Sequence, residues 1–293
     1  MTTLVSLDGR IVPPAEAQVS VFDRGFLYGD SVFEVLRTYG GVLFGFEEHL
    51  QRLARSAELA LIQFSDVELL RREILAVIAA TGNAETYIRV VVTRGSGQAL
   101  GLDPALARAP LRVVLATDVP PMPAAMYERG VSVITYRTQR VSEGTSAVGA
   151  KLGNYLLSIL ATEAAKRAGA DEALILDARG QVIEGTTSNV FLVYQGTLVT
   201  PPDDAGILAG ITRGKVLELA RSSKIPVELR TFAPSALASA DEVFITSSIR
   251  EVVPVIAADG APAGGGRPGP VTARLLAAYR ALTLAGSPTN SGA

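Results

Sequence analysis

The sequence predicts a mixed α/β (α+β) protein with two subdomains. A chain of 293 residues, 48% of them hydrophobic and 19% charged, can bury a core large enough for two subdomains. Stretches with the two-residue alternation of strands are interspersed with stretches that have the spacing of helices. Residues 118–126, DVPPMPAAM, hold three prolines in a short space and are the best candidate for a linker.

The elements before this linker predict a small α/β subdomain. Residues 3–12 predict a hairpin that turns at Asp8–Gly9, and residues 31–46 predict two strands around a Gly-Gly turn. Residues 47–64 and 66–82 have helical spacing, and Gly82 is expected to end the second helix. Residues 86–97 and 111–119 are expected to be strands.

The elements after the linker predict a larger subdomain. Strands are expected in 130–141, 171–177, 180–201 and 241–256, and helices after Lys151, in 211–224 and in 269–282. The predicted boundaries are 1–117 for a small α/β domain, 118–130 for the linker, 131–286 for a large domain and 287–293 for a disordered tail.

Composition excludes several classes of function. Lys plus Arg number 27 against 29 Asp plus Glu, so nothing indicates binding to nucleic acid or to an anionic membrane. The chain has no cysteine, and His49 is its only histidine, so no metal site is predicted. The first residues lack the pattern of a signal peptide, and the apolar runs are too short to span a bilayer. We therefore expect a cytoplasmic protein.

Lys151 lies in GAKLGNYLLS, residues 149–158, between Gly149, Ala150 and Gly153. The pattern behind it is helical, so we expect Lys151 at the start of a helix. An amine beside small residues and apolar packing loses hydration, which lowers its pKa toward the range of a nucleophile or base. From this stretch alone, an ordinary solvated lysine at a helix start is the better interpretation.

Three further features lie in the same half of the chain. Glu184 ends an apolar strand, where a carboxylate needs a partner such as a protonated pyridine nitrogen or an arginine. Ile211–Thr212 open a helix after Gly210, and Ser247–Ser248 end a strand. Both places offer N–H or hydroxyl groups to a phosphate, although a plain helix cap explains the first equally well. An amine, a buried acid and two phosphate anchors together are what pyridoxal phosphate requires.

Nearly the whole chain resembles the class IV, or fold type IV, pyridoxal-phosphate aminotransferases. This resemblance implies a two-domain fold with the cofactor in the cleft between the domains. It also implies a homodimer or higher homo-oligomer in which the neighbouring subunit supplies part of the substrate pocket. The segments that carry the resemblance are VSVFDRGFLYGDSVFEVLR, EHLQRL, YIRVVVTRGSG, KLGNYL, ADEALILDARGQVIEGTTSNVFLV, LAGITR, ADEVFITSSIREVVPV and GPVTARL.

The resemblance assigns roles to individual residues. Lys151 resembles the Schiff-base lysine, which also moves the proton between the substrate Cα and the cofactor C4′. Glu184 resembles the carboxylate that keeps the pyridine nitrogen protonated, and Arg52 resembles the phosphate arginine, which would leave His49 a structural role. The other predicted cofactor ligands are Tyr155 at the phenolic oxygen, Leu208 against the ring face, and Ile211, Thr212, Ser247 and Ser248 at the phosphate.

The substrate motifs favour an aliphatic, branched-chain L-amino acid, with 2-oxoglutarate as acceptor in a ping-pong reaction. Alternation places Phe33, Val35 and Arg37 on one face of a strand. YGDSVFEVLR, which begins at Tyr28, is similar to the branched-chain enzymes' YGTSVFEGIR, and Val35 replaces its glycine, which should narrow the pocket. ALGLDP resembles the branched-chain ALGVNP loop, and two further substrate residues, Tyr87 and Arg89, lie in TYIRVVV.

A second set of residues keeps other specificities open. VTRGSG resembles the D-amino acid aminotransferase segment whose arginine, here Arg94, binds the substrate carboxylate. Alternation puts Arg89 and Arg94 on opposite faces unless the chain turns at Thr93–Gly95. The histidine expected two residues after this arginine is absent, because Ser96 stands there. A D-amino acid, mixed-specificity or (R)-amine transaminase, an aminodeoxychorismate lyase, and surface ion pairing by Arg37, Arg89 and Arg94 remain alternatives.

Overall fold

The computed structural model describes residues 2–64, 66–97, 99–107, 109–138, 145 and 147–285. The predicted tail, 287–293, and residues 139–141 of a predicted strand lie outside these ranges. Within the described residues the chain divides into two compact units. Unit 1 takes residues 2–120, 145–154 and 284–285, and unit 2 takes residues 121–138 and 155–283.

Unit 1 contains a six-stranded sheet in the order β2-β1-β6-β5-β3-β4, and all of its neighbouring strands are antiparallel. The predicted hairpin is confirmed, since Asp8 and Gly9 both adopt positive φ angles, of 48° and 87°, as a tight hairpin turn requires. The strands are β1 (Leu4–Leu7), β2 (Arg10–Val12), β3 (Ser31–Tyr39), β4 (Val42–Leu43), β5 (Thr86–Thr93) and β6 (Arg112–Asp118).

Three helices belong to unit 1: α1 (Arg24–Tyr28), α2 (Phe46–Leu59) and α3 (Val67–Thr81). The Asp66 side chain caps α3 by accepting a hydrogen bond from the N–H of Leu69, and Gly82 ends it with a φ angle of 63°, as predicted. The core lies between α2, α3 and one face of the sheet. It contains Val32, Leu36, Ile88 and Val90 from the strands and Leu50, Leu53, Leu70 and Ile74 from the helices.

Unit 2 contains a nine-stranded mixed sheet in the order β12-β11-β10-β13-β14-β7-β8-β9, with β15 paired to β14. The pairs β14–β7, β7–β8 and β11–β12 are parallel. The strands are β7 (Val131–Arg137), β8 (Glu172–Leu176), β9 (Val182–Gly185), β10 (Asn189–Tyr194), β11 (Thr197–Thr200), β12 (Val227–Leu229), β13 (Glu242–Ser247), β14 (Glu251–Ala258) and β15 (Ala261–Pro262).

The remaining helices are α4 (Ala124–Glu128), α5 (Leu156–Arg167), α6 (Ile211–Ser222), α7 (Ser235–Ser239) and α8 (Pro270–Ala285). In unit 2, α5 packs Ala161 and Ala165 against Ala173, Ile175 and Ile183 of the sheet. The short elements α1, α4, α7 and β12 are absent from the sequence prediction. Among the described residues, none of the helices combines the length and the apolar character that crossing a bilayer would require.

Candidate active site

The backbone around Lys151 runs beside the start of β3. The N–H of Phe33 donates to the carbonyl of Lys151 at 3.0 Å, and the N–H of Gly153 donates to the carbonyl of Ser31 at 2.8 Å. The N–H of Lys151 also donates to the hydroxyl of Ser56, in α2, at 3.1 Å. This sheet-like segment, residues 151–153, is called the lysine strap below.

The strap corrects the expectation that Lys151 starts a helix. The helix behind it, α5, begins at Leu156, and Tyr155 occupies the position before it. Lys151 is therefore fixed by bonds to β3 and α2, which are distant in sequence, and not by the first turn of α5.

Two cationic side chains meet the ring of Phe33. The Nζ of Lys151 lies 4.6 Å from the ring centroid, and the Cζ of Arg89 lies 4.1 Å from it. Both distances are typical of cation–π contacts. Phe33 is buried, whereas Lys151 and Arg89 keep partial solvent access. The positive charge beside this ring would favour an anionic group, such as a carboxylate, near Lys151.

The predicted substrate residues on β3 and β5 share the face of Phe33. In the register of these strands, Val35 is opposite Arg89 and Arg37 is opposite Tyr87. Alternation therefore places the four side chains on one surface of the sheet, as the sequence predicted for Phe33, Val35 and Arg37. The guanidinium of Arg37 lies 4.3 Å from the centroid of the Tyr39 ring.

Arg94 lies on the opposite face of the sheet from Phe33. Its Nε and Nη2 donate to the carboxylate of Asp30 at 2.7 and 2.9 Å, and its guanidinium also donates to the carbonyls of Ala60 and Leu61. Arg94 is buried and continues the alternation of Ile88, Val90 and Val92, which face the helices. This placement argues against the predicted contact between Arg94 and a substrate carboxylate.

Tyr28, at the end of α1, is 39% exposed. Its hydroxyl accepts a hydrogen bond from the N–H of Gly101 at 3.2 Å, and the guanidinium of Arg24 lies 5.1 Å from its ring centroid. Arg24 also donates to the carbonyl of Gly101 at 2.7 Å and to Asp30. Tyr28 is therefore joined to the ALGLDP loop within unit 1.

Arg52 belongs to a buried ionic group with Glu34 and His49. Its Nε and Nη2 donate to the two carboxylate oxygens of Glu34 at 2.6 and 2.7 Å, and the Nδ1 of His49 lies 2.7 Å from Glu34 Oε2. Burial alone would raise the pKa of Glu34, but the Arg52 charge and the hydrogen bonds from Arg52 and His49 lower it to about 2. Burial lowers the pKa of His49, so its ring is neutral at pH 7.

In unit 2, Glu184 is a buried carboxylate held by neutral donors. Its Oε2 accepts the N–H of Leu208 at 2.9 Å and the amide of Asn189 at 3.4 Å. These donors orient the carboxylate, which also interacts electrostatically with Arg213. A protonated pyridine nitrogen would add a charged hydrogen-bond donor to this group. The site residues therefore fit the cofactor predicted from the sequence at this position.

The predicted phosphate ligands lie at the ends of two elements of unit 2. Helix α6 begins at Ile211, and Gly210 before it provides no side-chain cap. The first N–H groups of the helix can therefore donate hydrogen bonds to an anion. The Thr212 hydroxyl lies 3.4 Å from the hydroxyl of Tyr279. Ser247 ends β13, and its Oγ accepts the N–H of Arg250 at 3.2 Å. Ser248 follows it in the same turn.

Two residues that contact the proposed cofactor ligands were not predicted from the sequence, Glu34 and Asn189. Glu34 alternates with Val32 and Leu36, which lie in the core, so the strand pattern alone required a buried partner for it. No comparable signal exists for Asn189, because its contact with Leu208 spans a 19-residue separation. The described residues contain no group of three or more acidic or histidine side chains that could hold a metal ion.

Comparison with known proteins gives a consistent result. The family described as amino-transferase class IV matches residues 31–258. A Methanocaldococcus jannaschii protein provisionally named a branched-chain-amino-acid aminotransferase is 40% identical over 280 residues, covering 94% of this chain and 95% of the relative. A D-alanine aminotransferase of Bacillus licheniformis is 34% identical over 283 residues, covering 94% of this chain and 95% of the relative.

The fold is also found in solved structures. The T.th. branched-chain amino acid aminotransferase, complexed with N-(5'-phosphopyridoxyl)-L-glutamate, superposes with a TM-score of 0.88 at 33% sequence identity. The similarity covers 98% of this chain and 96% of that one. The two-unit mixed α/β architecture is thus the fold type IV architecture that the sequence motifs predicted.

Proposed function

This chain belongs to the class IV aminotransferases, and from that premise we propose that it transfers the amino group of a branched-chain L-amino acid to 2-oxoglutarate. It is an enzyme that depends on pyridoxal phosphate, as its family and the solved structure with a phosphopyridoxyl ligand indicate. The reaction proceeds by a ping-pong route, in which the amino acid leaves its amino group on the enzyme before the 2-oxo acid enters.

The observation that carries the proposal is the placement of Arg89 and Arg94. Arg89 and Lys151 both contact the ring of Phe33, on the face whose motifs resemble branched-chain enzymes. Arg94, which resembles the carboxylate ligand of D-amino acid enzymes, is bound to Asp30 on the other side of the sheet. A carboxylate near Lys151 would therefore meet Arg89. Val35, opposite Arg89, narrows the surface on which an aliphatic side chain would lie.

We assign the cofactor residues as the sequence predicted. When bound, pyridoxal phosphate supplies an electrophilic carbonyl carbon and an electron-withdrawing ring. Lys151 would provide the amine that holds the cofactor and would move a proton at the substrate Cα, and Glu184 would keep a proton on the ring nitrogen. Arg52 serves the phosphate, and the remaining ligands are Tyr155, Leu208, Ile211, Thr212, Ser247 and Ser248.

A D-amino acid or (R)-amine specificity is the second candidate. The D-alanine aminotransferase of Bacillus licheniformis, at 34% identity, is similar over 94% of this chain, so the family relationship does not separate the two specificities. In this alternative a substrate carboxylate would require a different partner from Arg94, because the four described hydrogen bonds of that side chain go to protein groups.

We also propose a homodimer, or a larger homo-oligomer, in the cytoplasm. Its support is a run of exposed apolar side chains in unit 1, from Val19 to Tyr28, because large apolar residues close together in sequence mark interaction surfaces. A chain without cysteine forms no disulfide and needs no oxidising compartment to fold. The proposed domain bounds are 1–117, 118–130 and 131–286, with the exception that the segment 145–154, which contains Lys151, belongs to the compact unit 1.

Single-turnover spectroscopy tests the proposal. Purified enzyme in its pyridoxal form is mixed separately with L-leucine, L-glutamate, D-alanine and (R)-1-phenylethylamine, and the coenzyme absorption is followed in time. We expect L-leucine and L-glutamate to convert the coenzyme to its pyridoxamine form, and 2-oxoglutarate to restore it. Conversion by D-alanine or the (R)-amine, with none by L-leucine, would replace the proposal by the second candidate.

A further inference from the structure

We propose that Asn189 is a positioning residue that sets the orientation of Glu184 and Leu208 relative to each other, and thereby the orientation of the coenzyme ring. The inference rests on the proposed function, in which Glu184 meets the ring nitrogen and Leu208 packs against the ring face. None of the motifs that carry the family resemblance required a role for this asparagine.

The three residues form a closed set of hydrogen bonds. Leu208 donates its N–H to Glu184 Oε2 at 2.9 Å, and Asn189 Nδ2 donates to the carbonyl of Leu208 at 2.9 Å. The same Nδ2 reaches Glu184 Oε2 at 3.4 Å, which closes the triangle with a longer contact. Both backbone polar groups of Leu208 are thus fixed, one by the carboxylate and the other by the amide.

The amide itself has little freedom to move. Asn189 is 5% exposed and is the first residue of β10, where it pairs with Thr246 of β13. A Cβ atom on Gly210 would lie 2.0 Å from the Oδ1 of Asn189, so the chain after Leu208 lies directly against the amide. The strand fixes Asn189 at its backbone, and the glycine lets residues 208–210 close over its side chain.

The hydrogen bonds of Asn189 connect the two proposed protein contacts of the coenzyme ring, Glu184 at the nitrogen and Leu208 at the face. The two neutral donors orient the carboxylate of Glu184, which would accept the hydrogen bond from a protonated ring nitrogen. Leu208 cannot shift away from the ring face without breaking its bonds to Glu184 and Asn189. Loss of the amide would therefore disturb the ring nitrogen and the ring face together, which a residue that merely supported the fold would not do.

The test compares Asn189→Ala with Asn83→Ala. Asn83 is a matched control, because its amide also makes two hydrogen bonds, both to Thr2, and it lies in unit 1 outside the site. Three properties are measured: the Kd of pyridoxal phosphate for the apoenzyme, the circular dichroism of the coenzyme band, and the 15N chemical shift of ring-labelled coenzyme in the holoenzyme.

For Asn189→Ala we expect about tenfold weaker coenzyme binding, the equivalent of one or two lost hydrogen bonds. We also expect a weaker dichroic band and a ring 15N signal displaced toward that of neutral pyridine. Asn83→Ala should match the wild type in all three measurements. If the ring signal and the dichroic band of Asn189→Ala equal those of the wild type, the positioning role is wrong.

A second variant, Gly210→Ala, protects the test against a folding defect in the first. Its added methyl group would displace the same amide, so it should change the ring 15N signal in the same direction; an unchanged signal contradicts the proposal. Different results would contradict the proposed function and the role of Asn189. A wild-type protein that binds no pyridoxal phosphate contradicts the proposed function, whereas wild-type binding with unaltered variants contradicts only the role of Asn189.

Discussion

Glu34 keeps a negative charge on the helix-covered side of unit 1, where an isolated carboxylate would be very costly. Arg52 binds both of its oxygens and His49 contacts one of them, and the side chain of Glu34 is only 1% exposed. The proposed phosphate ligand, Arg52, thus owes its orientation to a carboxylate that contacts no substrate. Glu34 therefore stabilises the fold and would also hold the proposed phosphate ligand in place.

We predict that Glu34→Gln lowers the free energy of unfolding by about 3 kcal/mol at pH 7, because it leaves the Arg52 charge buried without its counter-ion. The pKa of Glu34 is about 2 in the fold against an ordinary 4.5, so the ionised pair contributes fully above pH 4.5. This contribution is lost as the pH falls from 4.5 toward 2. Urea unfolding of the variant should accordingly show a weaker dependence on pH in that range than the wild type.

Glu47→Gln is the matched control, since Glu47 also pairs with an arginine, Arg71, but at the exposed surface of α2. Exposed ion pairs contribute little to stability, so this variant should unfold like the wild type. The pH dependence of His49 has the same direction as that of Glu34. Burial lowers the pKa of His49, so the free energy of unfolding falls as the pH drops below 6.5. Equal unfolding free energies for Glu34→Gln and the wild type at pH 7 would refute the stabilising role of Glu34.

At the scale of elements, the pairing of the lysine strap with β3 depends on a close approach between Gly153 and Ser31. An added Cβ on Gly153 would lie 2.1 Å from the Oγ of Ser31, at the place where the strap pairs with β3. We predict that Gly153→Ala lowers stability by about 1–3 kcal/mol, as overpacking does, and weakens coenzyme binding by displacing Lys151. Thermal unfolding and coenzyme titration measure the two effects.

A double variant gives the specific control. Ser31→Ala removes the clashing oxygen, and the two methyl carbons would then be about 3.4 Å apart, which is tight but tolerable. Ser31→Ala combined with Gly153→Ala should therefore recover most of the stability and coenzyme affinity that Gly153→Ala loses. If the double variant is as impaired as the single one, the close approach is not the reason for glycine at this position.

The sequence predicted the elements whose pattern is long enough to be periodic. The β3 strand, α3 with its Gly82 end, and the Asp8–Gly9 hairpin follow from alternation, helical spacing and turn chemistry. The short elements α1, α4, α7 and β12 have three to five residues, too few for a period to show. Their conformation is set by tertiary contacts, as when Arg24 in α1 binds Asp30 and Gly101.

The sequence predicted which residues belong to the candidate site where a motif contains a suitable chemical group. It did not predict the contacts between residues that are distant in sequence. Lys151 and Glu184 follow from a motif and from a carboxylate that needs a partner. The position of Lys151 does not, because the helical pattern behind it suggested a helix start, whereas its backbone bonds run to Phe33 and Ser56. The alternation of β5 correctly placed Arg89 and Arg94 on opposite faces, but only the bonds to Asp30 distinguish their partners.

At the scale of the whole molecule, the exposed apolar side chains of unit 1 need an explanation. Val21 is 63% exposed, Phe22 52% and Phe26 67%, and all three lie within eight residues. Monomeric proteins seldom expose several large apolar residues so close together. A second copy of the chain is the occupant that the family resemblance implies, and symmetric pairing would cover the same segment on both copies.

We predict that Phe26→Asp shifts the protein from dimer to monomer, because a buried carboxylate without a partner would oppose association. Sedimentation velocity over a range of protein concentrations measures the change. Leu75→Asp is the control, since Leu75 is 49% exposed and no other large hydrophobic residue of α3 (Val67–Thr81) is exposed. This variant should leave the proposed dimer intact. Aminotransferase activity should fall with the dimer in Phe26→Asp, because the family resemblance implies that the neighbouring subunit supplies part of the substrate pocket. A wild-type protein that sediments as a monomer at all concentrations, or a Phe26→Asp variant that remains a dimer, would assign the exposed segment to another purpose.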